Sequence, residues 1–498
     1  MANPNWKSLL IRTLLIVGVI FWIYQPTLHG TWLWDDDYLI ENNEVVHDPS
    51  GIWSIWCDPT SLIDYFPLTV TVEWLEWQVW PGDPFIFHLT NVICHMISAL
   101  LVWRLLSKLG LRLAWLGGLL FAIHPVQVES VAWMAEIKNT LSLPPFLLAA
   151  CCWVDYERRG KLEDYYLTLC LFLVAMLCKT TMVMFPVVIL LYAWWKRDRI
   201  GWRDIRNSAP FFVISLAIGV TLVALLRHGV GEETIPLGGV FSRLACSGIS
   251  IAFYFSKVFL PIGLLPIYPQ WNINPPSLPQ LLPWPILGGV LYWLWSRRQK
   301  WARNILFGFG FFLLNLLPFV GFRTISFMRF AWVMDHFLYL PILGLIGLIV
   351  AGVEQVDDRL SASTRPYRIA GVAIVMGLLA FWSSQYARIF VNTIALWTYE
   401  TQHYPQAWPS HNNLGLALAQ AGRLQEAKVQ YEEALFLNPG YPEAHNNLGA
   451  DFWEMGQFTE AEEQFKEALI YCPSLESAQT NLVKIRGIIA AQAAAPKK

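Results

Sequence analysis

Apolar runs long enough to cross a lipid bilayer recur along the first 390 residues, and they constrain the fold more than any other feature of this chain. A helix needs about 20 apolar residues to span the hydrocarbon core, and only helices and closed barrels satisfy their backbone hydrogen bonds there. With 55% hydrophobic and 14% charged residues, the 498-residue chain holds more apolar side chains than a soluble core would bury. The sequence therefore predicts an all-α, polytopic membrane helix bundle.

The first apolar run, residues 9–28, follows Lys7 and Arg12 and lacks a small-residue cleavage site, so we interpret it as an uncleaved signal anchor. Residues 243–262 are apolar as well, but a full crossing there would place the basic cluster at 297–303 on the wrong side. We therefore interpret them as interfacial or re-entrant, which leaves eleven spans. The ten further spans are predicted near 86–103, 113–123, 140–154, 165–178, 182–195, 209–226, 282–296, 304–320, 337–353 and 369–388.

Basic residues orient the predicted bundle, because short loops rich in lysine and arginine stay in the cytoplasm. A net charge of −2 gives no signal for nucleic acid, so none is expected as a partner. The carboxy terminus is then predicted to lie outside. The basic clusters near 104–112, 158–161, 196–206, 297–303 and 359–368 mark the inside, and the outside loops are 29–85, 124–139, the region of Lys179, 227–281 and 321–336.

The composition becomes polar near residue 391, and the chain then repeats itself every 34 residues. The run His411 to Gly415 recurs as His445 to Gly449, with small residues, aromatics and a proline following at the same offset. This pattern is typical of tetratricopeptide repeats, which stack helix pairs into an α-solenoid. We predict a membrane domain over 1–390, a half repeat, two full repeats and a closing helix over 391–489, and a disordered tail over 490–498.

The repeats either cap the membrane domain or bind a protein or peptide in their concave face. The candidates for such a contact are side-chain amides on the first helix of each repeat: Asn412, Asn413, Asn446 and Asn447.

The first outside loop is unusually acidic, with eleven carboxylates from Asp35 to Asp83 and no lysine or arginine from Thr13 to Trp103. A solvated acidic loop would explain these charges without any function. However, Asp35 and Asp36 lie among tryptophans close to the membrane surface, where desolvation and mutual repulsion would raise a carboxylate pKa toward that of a useful base. We therefore predict that the chemistry resides in this loop.

An ordered series of motifs resembles the transmembrane and tetratricopeptide-repeat family, which belongs to the GT-C glycosyltransferases related to protein O-mannosyltransferases. The resemblance covers nearly the whole chain. The motifs are Trp34-Asp35-Asp36-Asp37, Tyr65-Phe66-Pro67-Leu68-Thr69, Phe87-His88-Leu89-Thr90-Asn91, the run His124 to Trp133, Glu136-Ile137-Lys138-Asn139, Cys178-Lys179-Thr180, and the run Met334 to Pro341.

This resemblance implies an inverting transferase that moves a sugar from a polyprenyl-phosphate carrier to a hydroxyl acceptor, with Asp35 and Asp36 at the catalytic centre. We expect Asp35 to act as the base and Asp36 as its helper. Because the donor already has a good leaving group, cations must hold its phosphate. The candidates for binding the donor phosphate or sugar are Lys138, Lys179, Arg329, His336, His124, Glu129, Glu136 and Asp335, with Arg323 as a further basic candidate. Basic residues at a membrane boundary are also common as simple anchors.

Several alternatives remain open from the sequence. His88 and His95 are expected to serve packing rather than metal binding; no metal ligand set is indicated, although a divalent metal remains an option for the reaction. Many related sequences have arginine at the position of Phe66, so a phosphate contact there must come from another residue. The competing functions are a non-catalytic scaffold and a lipid-linked sugar transporter. The expected location is a bacterial inner membrane with a periplasmic active face, or the lumenal face of the endoplasmic reticulum.

Overall fold

A computed structural model describes residues 6–62, 65–229, 237–322 and 326–494. These residues contain helices and no strand, which confirms the all-α prediction. The chain divides into two compact units. The first comprises Met1–Leu264 and Gln270–Val391, and the second comprises Leu265–Pro269 and Asn392–Lys498.

The first unit is built from α-helices that are joined by short 3-10 and π-helical turns. Its helices are α1 Trp6–Tyr24, α2 Glu44–His47, α3 Gly51–Cys57, α4 Pro67–Val79, α5 Pro84–Leu109, α6 Ala114–Ile123, α7 Val128–Ala132, α8 Ile137–Arg159, α9 Leu162–Cys178, α10 Phe185–Arg197, α11 Trp202–Gly229, α12 Val240–Phe259, α13 Leu278–Leu281, α14 Pro283–Ser296, α15 Arg303–Leu316, α16 Ile342–Arg359 and α17 Arg365–Ala387.

Five helical segments among the described residues are long and apolar enough to cross a membrane, which agrees with a membrane protein. The other six predicted spans form helices that are shorter or less apolar, so the count of eleven remains a prediction. Residues 243–262 lie largely in α12, which is not one of the five. The five segments are Trp6–Tyr24, Pro84–Leu109, Met134–Arg159, Arg298–Phe319 and Ala362–Val391.

Helix α8 packs against α5 and α9 in the first unit. Its 23 residues extend about 34 Å, close to the thickness of a bilayer core. At its carboxyl end, Asp155 accepts hydrogen bonds from Lys108 at 2.5 and 2.6 Å, and Arg197 contacts Glu157. Basic clusters predicted to lie inside therefore meet at this end of α8, and the acidic loop contacts the segment that leads into its amino end.

The second unit consists of helices that pair at a spacing of 34 residues. Gly415 and Gly449 let each first helix approach its partner closely: a Cβ on Gly415 would lie 2.6 Å from Tyr431 Cε1, and one on Gly449 would lie 2.8 Å from Phe465 Cε1. The predicted tail begins inside the last helix, which continues to Ala494, and 495–498 lie outside the described residues. The helices are α18 Thr393–His403, α19 Trp408–Gln420, α20 Leu424–Leu437, α21 Pro442–Glu454, α22 Phe458–Tyr471 and α23 Glu476–Ala494.

Candidate active site

Asp36 fastens the acidic loop to the segment that leads into α8. Its Oδ2 accepts a hydrogen bond from the backbone N–H of Leu33 at 2.9 Å, and its Oδ1 accepts one from the backbone N–H of Ala135 at 2.7 Å. The side chain is fully buried. A change at Asp36 would therefore leave two backbone donors without their acceptor and release the loop.

The backbone next to this carboxylate is strained. Trp34 has φ of 43°, in the left-handed region that bulky residues rarely adopt. Its ring stacks on Trp133, with the planes 4° apart and the centroids 5.3 Å apart, and Trp133 Nε1 donates a hydrogen bond to Leu33 O at 3.3 Å. These contacts maintain the strained backbone conformation of Trp34. Such strained residues are common at functional sites.

The three consecutive carboxylates occupy three different environments. Burial raises the pKa of Asp36 well above its usual value, against the two backbone hydrogen bonds that lower it; nearby Asp35 raises it further and Lys138 lowers it. Asp35 is half-buried, whereas Asp37 is exposed and accepts a hydrogen bond from Asn42. Asp35 is thus the carboxylate that stays accessible beside a fixed neighbour.

Two lysines lie at the start of α8: Lys138 belongs to its first turn, and Lys179 is hydrogen-bonded to it through Asn139. Lys138 Nζ lies 3.2 Å from Glu136 Oε1. Lys179, between α9 and a 3-10 turn, donates a hydrogen bond to Asn139 Oδ1, and Asn139 donates one to Glu136 Oε2. Lys179 is 4% exposed, and its Nζ lies 6.0 Å from the centroid of the Phe319 ring. The geometry brings two cations to the end of α8 where Asp36 is fixed.

Glu129 and His336 form a buried pair close to the same helix end. Glu129 Oε1 lies 2.8 Å from His336 Nδ1, and Glu129 Oε2 accepts a hydrogen bond from the backbone N–H of Asp335 at 3.1 Å. Burial, together with the charges of Asp335 and Glu136, raises the pKa of Glu129, and burial lowers the pKa of His336 to about 3. We therefore regard the contact as a hydrogen bond between neutral groups. His336 Nε2 is 4.0 Å from Glu136 Oε1, so the pair adjoins the two lysines.

Two other predicted site residues, His124 and Arg329, have different contacts. Both ring nitrogens of His124 are used by the backbone: Nε2 donates to Val258 O at 3.0 Å, and Nδ1 accepts from Val126 N at 3.4 Å. Burial lowers the pKa of His124 to about 4, so this neutral ring serves to join two chain segments. The Arg329 guanidinium lies 5.5 Å from the centroid of the Phe330 ring. Arg323 lies outside the described residues.

The two histidines of α5 lie in the interior of the first unit. His95 Nδ1 is 2.9 Å from Tyr339 Oη, and His95 Nε2 is 3.1 Å from Ala122 O. His88 is fully buried. Among the residues that the structure describes, no three His, Cys, Asp or Glu side chains come together as candidate metal ligands.

The sequence did not single out Glu73, on α4 in the acidic loop. This side chain is 5% exposed, and burial, with the charge of nearby Glu76, raises its pKa to about 8. The polar residues Thr69, Glu73 and Glu76 are all buried, whereas Leu75 and Val79 are exposed. A helix with its polar face turned inward is recognisable from polar residues at spacings of four and seven in an otherwise apolar segment.

In the second unit, the four candidate asparagines bond to one another. Each Nδ2 donates to the next Oδ1 along the series Asn481, Asn446, Asn447, Asn412, Asn413, at 3.1, 3.4, 3.1 and 3.4 Å. We call this series the asparagine ladder. It links the first helices of the two repeats to the closing helix, so these amides already have a structural role. Whether they also contact a partner remains a prediction.

Three family models match the chain. Residues 82–226 match dolichyl-phosphate-mannose-protein mannosyltransferase, residues 415–456 match the TPR repeat, and residues 442–475 match the tetratricopeptide repeat. The first match includes the segment carrying Glu129, Glu136, Lys138 and Lys179. The other two confirm the repeats predicted from the 34-residue period.

Curated relatives are similar along most of the chain. Protein O-mannosyl-transferase TMTC1 of Homo sapiens is 25% identical over 86% of this chain and 55% of its own length. Protein O-mannosyl-transferase F38B6.6 of Caenorhabditis elegans is 23% identical over 87% of this chain and 64% of its own length. The chain thus spans between half and two thirds of these relatives. The matches confirm the resemblance that the sequence motifs predicted.

Among solved structures, the crystal structure of ArnT from Cupriavidus metallidurans bound to undecaprenyl phosphate is similar at 16% identity, with a TM-score of 0.41. The alignment covers 93% of this chain and 80% of that one. This score is too low to establish a shared fold.

Proposed function

We propose that this chain, a relative of the transmembrane and tetratricopeptide-repeat O-mannosyl-transferases, is an inverting membrane glycosyltransferase that moves a sugar from a polyprenyl-phosphate carrier to a hydroxyl acceptor. The observation that carries the proposal is the fixed juxtaposition at one end of α8. There, Asp36 anchors the acidic loop through Ala135, and Lys138 and Lys179 are linked to the first turns of the helix. A proton acceptor and cations for a phosphate are the groups that this transfer requires.

Asp35 acts as the general base in this proposal. It takes the proton of the acceptor hydroxyl, whose oxygen forms the new bond to the anomeric carbon from the side opposite the phosphate. The bond between that carbon and the phosphate oxygen breaks, and its electron pair leaves with the polyprenyl phosphate, so the configuration inverts. Asp36 is a positioning residue, because both its oxygens are held by backbone N–H groups beside Asp35.

Lys138 and Lys179 hold the departing phosphate. Both lie next to Glu136, which balances their charge before the donor binds and orients Lys179 through Asn139. Placing a cation in an apolar environment is costly unless it is paired or functional, and Lys179 is buried. The neutral pair Glu129 and His336 supports the same helix end through its contact with Glu136.

The acceptor is proposed to be a serine or threonine hydroxyl of a protein, because the second unit consists of repeats whose usual role is to bind protein segments. The acidic loop and the basic clusters meet opposite ends of α8, which supports an active face outside the cytoplasm under the positive-inside rule. For a bacterial chain, that face would be periplasmic.

The test uses membranes or detergent-solubilised protein with a polyprenyl-phosphate mannose and an acceptor peptide. General-base catalysis contributes about 100- to 10,000-fold, so Asp35→Asn should lower kcat by at least about 100-fold. Asp36→Asn should also abolish measurable transfer through loss of the loop geometry. The matched control is Asp37→Asn, in the same run but exposed, which should stay within about threefold of wild type. Transfer at the wild-type rate by Asp35→Asn would overturn the assignment of Asp35 as the base, whereas no transfer by the wild type would favour a scaffold.

A further inference from the structure

A cavity of about 310 Å³ lies beside the fixed end of the acidic loop. Its walls come from the loop after Asp37, from α2 and α4, and from the start of α8. Ala135, whose backbone N–H donates to Asp36, lines the cavity, as does Lys138. The cavity therefore adjoins the segment to which Asp36 is bonded and reaches Lys138.

Most polar side chains around the cavity already bond to the protein. Asn43 accepts from the backbone N–H groups of Val45 and Val46 at the start of α2, and Thr69 donates to Cys178 O at 2.9 Å. Glu73 differs: it lines the cavity, it is 95% buried, and within the described residues its carboxyl group has no hydrogen bond. Because Glu73 lines the cavity, a ligand bound there can provide a hydrogen-bond partner for its carboxyl group.

The protonation state of Glu73 suits hydrogen bonding to a hydroxyl group of a ligand. Its pKa of about 8 means that the carboxyl is mostly protonated at neutral pH, so one oxygen can donate and the other can accept. Tyr38 and Phe66 add aromatic surface to the lining. Ligand pockets of about 300 Å³ or more are common in proteins, and this one is large enough for a single sugar ring but not for a polyprenyl chain.

We propose that this cavity holds the sugar ring of the lipid-linked donor and that Glu73 hydrogen-bonds to one of its hydroxyl groups. The inference rests on the proposed function and deepens it by assigning a sugar-binding residue. With the donor phosphate at Lys138, the ring extends from the cation toward Glu73 along the cavity wall. Glu73 then selects among donors by the position of a hydroxyl and takes no part in bond breaking.

The test compares Glu73→Leu and Glu73→Gln with a matched control, Glu76→Gln, which alters a buried carboxyl three residues further along α4 that does not line the cavity. With polyprenyl-phosphate mannose as donor, we expect Glu73→Leu to lower kcat/KM for the donor about tenfold, the loss of one hydrogen bond to a buried partner. Glu73→Gln should retain most activity, because an amide also donates and accepts. The KM of the acceptor peptide should not change in either variant, and Glu76→Gln should match wild type.

Monodeoxy analogues of the donor sugar identify the contact. One analogue should be about tenfold poorer than the parent donor for wild type and no poorer for Glu73→Leu. The inference is overturned if Glu73→Leu keeps wild-type donor kinetics, if every analogue is penalised equally in both proteins, or if Glu76→Gln is equally impaired. A change in acceptor KM alone would place a glycan of the acceptor in the cavity instead and also overturn it.

Different results would contradict the proposed function and the proposed sugar site. If the wild type transfers no sugar, the proposed function is wrong, and thermal stabilisation by the same donor then decides the inference. Stabilisation of wild type but not of Glu73→Leu supports the sugar site, and equal stabilisation of both overturns it.

Discussion

We expect that replacing Asp451 with alanine stabilises the repeat unit. Asp451 lies on α21 and is 3% exposed, and its Oδ2 accepts no hydrogen bond from the described residues. At the equivalent position one repeat earlier, 34 residues before, the chain has Ala417. Burial, with the charge of nearby Glu454, raises the pKa of Asp451 from 3.8 to about 7. The second repeat thus contains a buried acid where the first repeat has alanine.

The magnitude follows from the shift in pKa. Three pKa units correspond to about 4 kcal/mol, at about 1.4 kcal/mol per unit. We expect about half of that, because truncation to alanine also removes the packing contacts of the buried side chain, which offsets part of the gain. The folded state keeps its proton up to about pH 7 and the unfolded state loses it above about pH 3.8, so the destabilisation grows with pH across this window and is complete above it.

The assay is amide hydrogen exchange of the full-length protein, read at the amides of α21 and α22 at pH 8 and pH 4.5. Asp451→Ala should raise the free energy of local opening by about 2 kcal/mol at pH 8 and by much less at pH 4.5. Ala417→Asp, at the matching position, should lower the opening free energy of α19 and α20 in the same pH-dependent way. Equal gains at both pH values, or no gain at pH 8, would refute the titration argument.

Three further outcomes are expected. Gly449→Ala should destabilise the repeats by about 1–3 kcal/mol in thermal unfolding, because the new Cβ would meet the Phe465 ring at 2.8 Å; unchanged unfolding would contradict this packing. Asn481→Ala should cost about 1 kcal/mol by removing the donor to Asn446 Oδ1, and hydrogen exchange should show the loss first in α23. Trp133→Phe should lower transfer about tenfold without changing expression, since the indole N–H that holds the acidic loop is lost, and full activity would show that this contact is dispensable.

The period of 34 residues and the apolar runs were sufficient to predict the helical class and the repeats, because both follow from local patterns along the chain. The number of spans does not follow so directly. Helices such as α6, with 10 residues, are shorter than a bilayer needs and depend on neighbours that the sequence does not identify.

For the candidate site, sequence motifs pointed to Asp36, but its partner Ala135 lies 99 positions away along the chain. The carboxyl of Glu73 was missed because one more acid in an acidic loop resembles a solvated charge until its burial is known. His124 shows the converse: the residue stands out in the sequence, yet its ring nitrogens bond to backbone atoms. Burial and long-range contacts determine whether a polar side chain serves the site or the fold. Neither can be derived from the spacing of residues in the sequence alone.

The asparagine ladder sets a rule for changing the length of the solenoid. All four hydrogen bonds point the same way, from Asn481 toward Asn413, and the two bonds between repeats join positions 35 residues apart. A duplication or deletion of one complete 34-residue block would keep donor and acceptor in step, whereas a change of any other length would leave an amide facing the wrong residue. The asparagine ladder therefore favours insertion or deletion of whole repeats over fractions of a repeat.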